Sequence, residues 1–169
     1  MKFILVDRIL TLEPPTRIVT CKALTLAEEY LADHFPTFPV MPGVLMLEAM
    51  VQSAAWLVRA TQDFSHSLVV LEEAKNINYK SFVSPGRTLE VTAEAIEIGE
   101  RHSEFKAAGR SGHDEMVKAR LRLRHYNLSD ADAAMADIDE KLIDSAKRTF
   151  VLLGGPAAMK TAPALAHSN

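Results

Sequence analysis

The sequence of 169 residues contains a single cysteine, Cys21, and no excess of basic residues. One cysteine excludes an intramolecular disulfide framework and any metal site built from several cysteines. There are 19 basic and 22 acidic residues, which leaves a net charge of −3. Proteins that bind nucleic acid through its phosphates usually carry a basic excess, so no nucleic-acid partner is predicted.

Long uninterrupted hydrophobic runs are also missing. The apolar stretch at residues 3–6 is too short for the core of a signal peptide. The longest apolar region, residues 40–58, is interrupted by Glu48, which favours a buried helix over a membrane span. We find no Gly-rich phosphate-binding loop and no Ser nucleophile elbow. The sequence therefore predicts a cytoplasmic protein with no membrane partner.

The residues that are present predict a globular domain, since 48% are apolar and 24% are charged. A long apolar helix is expected from Pro42 or Gly43 to Ala60 or Thr61, because proline suits a first helical position. Strands of alternating or β-branched residues are expected around it. Their ranges are 17–26, 67–79, 88–98, 103–110 and 115–126. Serial strands and one long helix predict an α+β fold with the sheet wrapped on the helix.

The composition changes after Tyr126. Residues 129–144 contain six acids and one base, and apolar residues recur at helical spacing between Leu128 and Ala146. This pattern predicts an amphipathic helix with Ser129 as its N-cap, followed by a strand-like stretch at residues 150–153. We therefore divide the chain into a main domain at residues 1–126, an acidic helical extension at 127–153 and a flexible tail at 154–169.

The segment from His34 to Gln52 carries the chemistry. His34 opens a proline-stiffened loop, Gly43 lies in the first turn of the long helix, and Glu48 lies inside that helix. Gln52 is one turn beyond Glu48 on the same face. A carboxyl group in apolar surroundings holds its proton to higher pH than one in water, so Glu48 is a candidate proton donor.

Histidine titrates near neutrality and can act as a base, so His34 is a candidate proton acceptor. The amides at the helix start can stabilise negative charge on an oxygen. Together these groups suit the elimination of water across a carbon–carbon bond next to a carbonyl. Taken singly, these residues have ordinary structural explanations. His34 could be a surface histidine, and Glu48 could lie at the rim of the core. Three methionines at near-helical spacing, Met41, Met46 and Met50, could simply pack in the core.

The pattern H-F-P-x-x-P-V-M-P-G-V-L-x-x-E-A-M-x-Q, from His34 to Gln52, resembles the β-hydroxyacyl-acyl-carrier-protein dehydratases of the FabZ/FabA type. Residues 75–86 continue the resemblance, which covers roughly residues 3 to 126. A glutamate at position 48, where the FabA branch carries aspartate, points to the FabZ branch.

The resemblance implies a hot-dog fold, with His34 as the catalytic histidine, Glu48 as the catalytic acid and the Gly43 N–H bound to the thioester oxygen. The other expected substrate-binding residues are Gln52, Val44, Met41 and Phe38. No cofactor or metal is required. The implied substrate is a 3-hydroxyacyl thioester of acyl carrier protein or CoA, and the product is a trans-2-enoyl thioester made in fatty acid or related lipid biosynthesis. The histidine of one subunit works with the acid of another, so a homodimer or trimer of dimers is implied.

Four positions depart from the family pattern. The family usually has Gly where this sequence has Asp33, Gly-His where it has Thr37-Phe38, and Phe where it has Tyr79. Two alternatives to a dehydratase therefore stay open. One is a hot-dog thioesterase or hydratase acting on another thioester, and the other is a non-catalytic acyl-binding module.

A basic stripe on the last predicted strand has several possible explanations. Lys118, Arg120, Arg122 and Arg124 alternate with apolar residues and share one face of the strand. The stripe could be a solvated surface, or the acidic helix of the same chain or of a partner subunit could cover it. Alternatively, an acidic carrier protein or the phosphate of its pantetheine arm could dock on it. Four further histidines lack metal-ligand spacing and are predicted to be solvated. They are His66, His102, His113 and His125.

Overall fold

A computed structural model of the protein describes residues 3–159 and confirms the α+β architecture. Six strands form one antiparallel sheet. The strands are β1 (Arg8–Glu13), β2 (Arg17–Ala23), β3 (Leu68–Tyr79), β4 (Thr88–Ile98), β5 (His102–Ser111) and β6 (Asp114–Tyr126). Their spatial order is β1-β2-β4-β5-β6-β3, so β1 and β3 are the edges of the sheet.

The long apolar helix, α1 (Gly43–Thr61), packs against strands β2 to β6. Pro42 is its N-cap, as the fixed φ of proline allows. Its sheet-facing side chains are small or flexible, and Ala49, Met50, Ala54 and Leu57 are fully buried. Among residues 3–159, no helix has the length and apolarity needed to cross a bilayer.

Strand β6 shows the alternation that the sequence predicts. Val117, Ala119, Leu121 and Leu123 are buried against α1, while the four residues of the basic stripe are exposed on the outer face of the sheet. The alternation continues to His125, which faces inward and is fully buried. The expectation that His125 is solvated is therefore wrong, because His125 lies on the same face of β6 as the buried core residues.

The segment after β6 departs from the sequence prediction. Helix α2 spans Ala136–Leu152, so it begins later than expected and includes most of the stretch expected to be strand-like. Two 3₁₀ turns, Leu128–Asp130 and Ala133–Met135, precede it. Asn127 caps the first turn and Asp132 caps the second. Side chains of this type compete with the backbone for hydrogen bonds and so delay the start of a regular helix.

Helix α2 packs beside α1 and does not cover the basic stripe. Phe150 lies against Trp56 and Phe64, with ring centroids 6.0 and 5.4 Å apart. Asp139 is buried and accepts hydrogen bonds from the Ser67 hydroxyl and from the backbone amides of Leu128 and Ser129. The prediction that the acidic helix covers the stripe of its own chain is wrong, because the aromatic contacts and Asp139 hold α2 on the helical side of the sheet.

The chain then runs along the outer edge of β1. The Ile9 amide donates to the Leu153 carbonyl at 2.9 Å, and Met159 forms a parallel bridge with Leu12. Between these two contacts lies the short helix α3 (Gly155–Ala158). Residues 154–159 of the predicted tail thus take part in the fold, and residues 160–169 lie outside the described residues.

Candidate active site

Glu48 is held in place by the side chain of Gln52. The Gln52 amide nitrogen donates to Glu48 Oε1 at 2.9 Å and to the Phe3 carbonyl at 3.2 Å. The Gln52 side-chain oxygen accepts from the Leu5 amide at 2.8 Å. Glu48 is half-buried in α1, with its carboxylate fixed by a neighbour one helical turn away. An acid oriented in this way can deliver a proton to a bound ligand.

The start of α1 offers two amide groups to a ligand. Leu45 and Met46 both donate to the Pro42 carbonyl, whereas the amides of Gly43 and Val44 have no hydrogen-bond acceptor within residues 3–159. A Cβ atom on Gly43 would come within 3.1 Å of the Tyr79 ring, so a side chain at this position would require the ring to move slightly away from the helix start. Unpaired amides at the positive end of a helix suit an oxygen that acquires negative charge.

The loop that precedes α1 carries His34. The His34 amide donates to the Tyr30 carbonyl at 3.2 Å, and its ring meets the Phe35 ring edge-on with centroids 4.5 Å apart. Phe35 has a φ of +48°, an unfavourable conformation for a bulky residue, as is found at functional sites. The loop is anchored at its end, where the Met41 amide donates to the Val83 carbonyl at 2.8 Å.

A cavity of about 560 Å³ opens beside Glu48 and Gln52. Its walls come from the residues before β1, from α1, from the first part of β3 and from α2. The lining residues are mainly apolar, and they include Val51, Ala55, Trp56, Val69, Leu71, Leu142 and Ala146. A cavity of this size and polarity fits the acyl part of a small ligand. Residues 3–159 contain no cluster of three or more histidine, cysteine, aspartate and glutamate side chains that could hold a metal ion.

Residues 1–118 match the family model described as a FabA-like domain. The chain belongs to this family. The 3-hydroxyacyl-[acyl-carrier-protein] dehydratase FabZ of Solibacter usitatus is 42% identical over 118 residues, which cover 69% of the chain and 71% of that protein. The FabZ of Ruminiclostridium cellulolyticum is 34% identical over 108 residues, or 63% of the chain and 76% of that protein.

Solved structures show that the fold is the hot-dog fold. The dehydratase heterocomplex ApeI:P from Xenorhabdus doucetiae matches with a TM-score of 0.64 at 13% identity, covering 79% of the chain and 90% of that chain. The conserved protein PA5202 from Pseudomonas aeruginosa matches with a TM-score of 0.56 at 19% identity. The match covers 70% of the chain described here and 86% of the PA5202 chain. Helix α2, which forms one wall of the cavity, lies outside the residues that match the FabA-like domain.

Only some of the predicted site residues come together in this FabA-like chain. Glu48 and Gln52 line the cavity, whereas His34 is not among the lining residues. Met41 has its side chain in the core and contributes its backbone to the loop anchor. Phe38 and Val44 are exposed, at 62% and 67%. Phe38 meets Phe82 edge-on, with centroids 6.2 Å apart.

Arg59, which was not predicted as a site residue, also lines the cavity. A signal was available, because Glu48 and Arg59 are the only charged residues of α1. They are separated by eleven positions, or about three turns, and therefore share one face of the helix. Trp56 is buried and also lines the cavity.

Proposed function

We propose that this protein eliminates water from a 3-hydroxyacyl thioester, carried by acyl carrier protein, to give a trans-2-enoyl thioester in fatty acid or related lipid biosynthesis. The observation that carries the proposal is the placement of Glu48. This half-buried acid of the family motif is fixed by Gln52 at the wall of a mainly apolar cavity. The relatives' name, 3-hydroxyacyl-[acyl-carrier-protein] dehydratase, supports the same reaction and the same carrier.

In the proposed mechanism, His34 accepts the proton from C2 of the substrate, which lies next to the thioester carbonyl. Glu48 donates a proton to the hydroxyl group on C3, so the C3–O bond breaks and water leaves. The electron pair of the C2–H bond forms the C2–C3 double bond. The Gly43 amide stabilises negative charge that develops on the thioester oxygen. General acid–base catalysis of this kind contributes about 10²–10⁴-fold for each group.

We also propose that the active unit is a homodimer, or a multiple of one, with each site formed by two chains. His34 does not line the cavity of its own chain, which supports a site in which the histidine comes from the partner subunit. The phenylalanine pair and Val44 beside the loop are exposed on the single chain, and a second copy would cover such an apolar surface.

The variants His34→Ala and Glu48→Gln test the chemistry. We expect each to lower kcat by about 10²–10⁴-fold with little change in KM, because the proton transfers stabilise the transition state and not the bound substrate. The assay follows formation of the enoyl thioester by mass spectrometry. His113→Ala and Glu140→Gln, both at exposed positions, are the matched controls. Turnover near that of the wild type in both site variants would contradict the mechanism, and release of a thiol in place of water would indicate a thioesterase.

Mixing the two inactive variants tests the shared site. If His34 and Glu48 of one site come from different chains, a mixed dimer of His34→Ala and Glu48→Gln contains one intact site and one doubly substituted site. Co-refolded or co-expressed variants should then recover activity that neither shows alone. If both groups of a site come from one chain, every site in the mixture stays defective and no activity returns.

A further inference from the structure

The cavity runs along one face of α1 from an acid to a base. Glu48, Gln52, Ala55 and Arg59 follow each other at helical spacing, and all line the cavity. Eleven residues at the rise of an α-helix correspond to about 16 Å. Apolar side chains of β3 and α2 form the walls between the two charged ends. This shape fits an extended chain with its reacting end at Glu48.

The guanidinium group of Arg59 has no acidic partner within residues 3–159. Its Nε atom is buried and has no hydrogen-bond acceptor. The group lies over the Trp56 ring, 5.3 Å from the centroid, and burial lowers the pKa of Arg59 to about 10. The Nε–H group of Arg59 is thus a buried donor without an acceptor, and leaving a donor unpaired in this way costs stability. A stability cost of this kind suggests that a ligand supplies the missing acceptor.

We propose that the cavity binds the acyl chain of the substrate and that Arg59 binds a carboxylate at the far end of that chain. This inference rests on the proposed function, and it defines the substrate class as 3-hydroxyacyl thioesters with a terminal carboxylate. A carboxylate accepts two parallel hydrogen bonds from a guanidinium group, which are among the strongest in proteins. Ser145 and Thr149 of α2 also line the cavity and add polar surface.

Arg59 then acts as a specificity-determining residue. A site built to hydrogen-bond a polar group rejects a ligand that lacks it, because the buried donors of the site stay unpaired. A chain ending in a methyl group would leave Arg59 without an acceptor. The cavity wall supplied by α2 lies outside the FabA-like residues, so this compartment is built partly from the chain's own extension.

Two substrates of equal chain length test the proposal, one ending in a carboxylate and one in a methyl group, both as 3-hydroxyacyl thioesters. We expect the wild type to favour the carboxylate in kcat/KM by on the order of 10²-fold. Arg59→Met should abolish this preference by weakening turnover of the carboxylate substrate alone, and Arg59→Lys should keep part of it. Arg148→Met, on the exposed face of α2, is the matched control.

Binding without chemistry provides a second measurement. Trp56 is the only tryptophan of the chain and contacts Arg59, so its fluorescence reports on this end of the cavity. Titration with a saturated acyl-pantetheine thioester that ends in a carboxylate should change the emission of the wild type and not that of Arg59→Met. The methyl-ended thioester should bind both proteins alike.

The outcomes separate this inference from the proposed function. If neither substrate is dehydrated, the proposed function fails, and the titration still decides whether Arg59 binds a carboxylate. If the wild type shows no preference between the two substrates and no carboxylate-dependent binding, the assignment of Arg59 is overturned. The assignment is likewise overturned if Arg59→Met affects both substrates equally or only lowers the melting temperature, as it would if a partner subunit's carboxylate occupied Arg59.

Discussion

His125 has properties opposite to those of a surface histidine. Its ring is fully buried, its Nδ1 atom lies 3.3 Å from the Glu100 carbonyl, and its Nε2 atom has no hydrogen-bond partner. Burial lowers the pKa of His125 to about 4, because the charged ring would lose its hydration, and the Glu100 hydrogen bond opposes this only in part. His66, with its ring centroid 5.8 Å away, further disfavours a second charge.

This lowered pKa predicts acid sensitivity in a defined pH range. Between pH 6.5 and about 4 the unfolded chain binds a proton at His125 that the folded protein does not, so stability falls as the pH falls. We expect a loss on the order of 2 kcal/mol in the free energy of unfolding across this range. Urea unfolding at several pH values should show it in the wild type and in His113→Gln, and a weaker pH dependence in His125→Gln. Equal slopes for all three proteins would contradict the assignment.

Part of the candidate site could be predicted from the sequence. The order of Gly43, Glu48 and Gln52 on one helix follows from local spacing, so their relative placement could be predicted. Arg59 could not be assigned a role in this way, because its lack of a partner depends on what β3 and α2 place around it. A missing contact has no signature in a sequence.

At the scale of elements, one buried acid, Asp139, helps the aromatic contacts of Phe150 to hold helix α2. Asp139 accepts hydrogen bonds from Ser67, Leu128 and Ser129, and thereby joins α2 to the start of β3 and to the 3₁₀ turn before the helix. Burial would raise the pKa of Asp139, but these donors outweigh burial and hold it well below its usual range. The charged form is therefore the one that stabilises the docked helix.

Replacing this acid should loosen α2. Asp139→Asn removes the charge and one strong acceptor, so we expect a lower melting temperature and faster amide exchange at residues 128–129 and along α2. Asp144→Asn, at an exposed position of the same helix, should leave both unchanged. Hydrogen exchange measured by mass spectrometry checks this, and identical exchange in the two variants would show that Asp139 is not the anchor.

The elements differ in how well the sequence predicts them. Strands β4 to β6 were predicted within a residue or two, because their side chains alternate over most of their length between a buried and an exposed face. The start of α2 was not, because Asn127 and Asp132 satisfy backbone amides locally and replace the first helical turns by 3₁₀ turns. Local hydrogen bonding of this kind overrides helical periodicity.

At the scale of the whole molecule, the outer face of the sheet carries the basic stripe. Arg122 is paired with Glu72 at 2.9 Å, whereas Arg120 is in register with Lys75 on β3 and Lys106 on β5. Three cations therefore adjoin across three strands, although Lys75 also contacts Glu73 at 2.8 Å. Because α2 lies on the other side of the sheet, it leaves this face open, and docking of an acidic carrier protein here stays a prediction.

Charge reversal tests this prediction. Arg120→Glu should raise KM for the substrate borne on acyl carrier protein and leave KM for the CoA thioester unchanged, because only the protein carrier reaches the outer face. Added salt should raise the wild-type KM in the same selective way. Lys147→Glu, exposed on α2, is the control. If neither Arg120→Glu nor added salt changes KM, no carrier protein docks on the stripe, and the stripe is a solvated surface.

The two edges of the sheet are unequal, and this limits how copies of the chain can assemble. The edge of β1 is occupied by the Leu153 carbonyl and the Met159 bridge, whereas the outward edge of β3 has no strand beside it within residues 3–159. An uncovered edge can pair with another strand. Since each molecule offers one such edge, two copies joined along β3 leave none for a third, and growth through the sheet ends at a closed pair instead of a fibre.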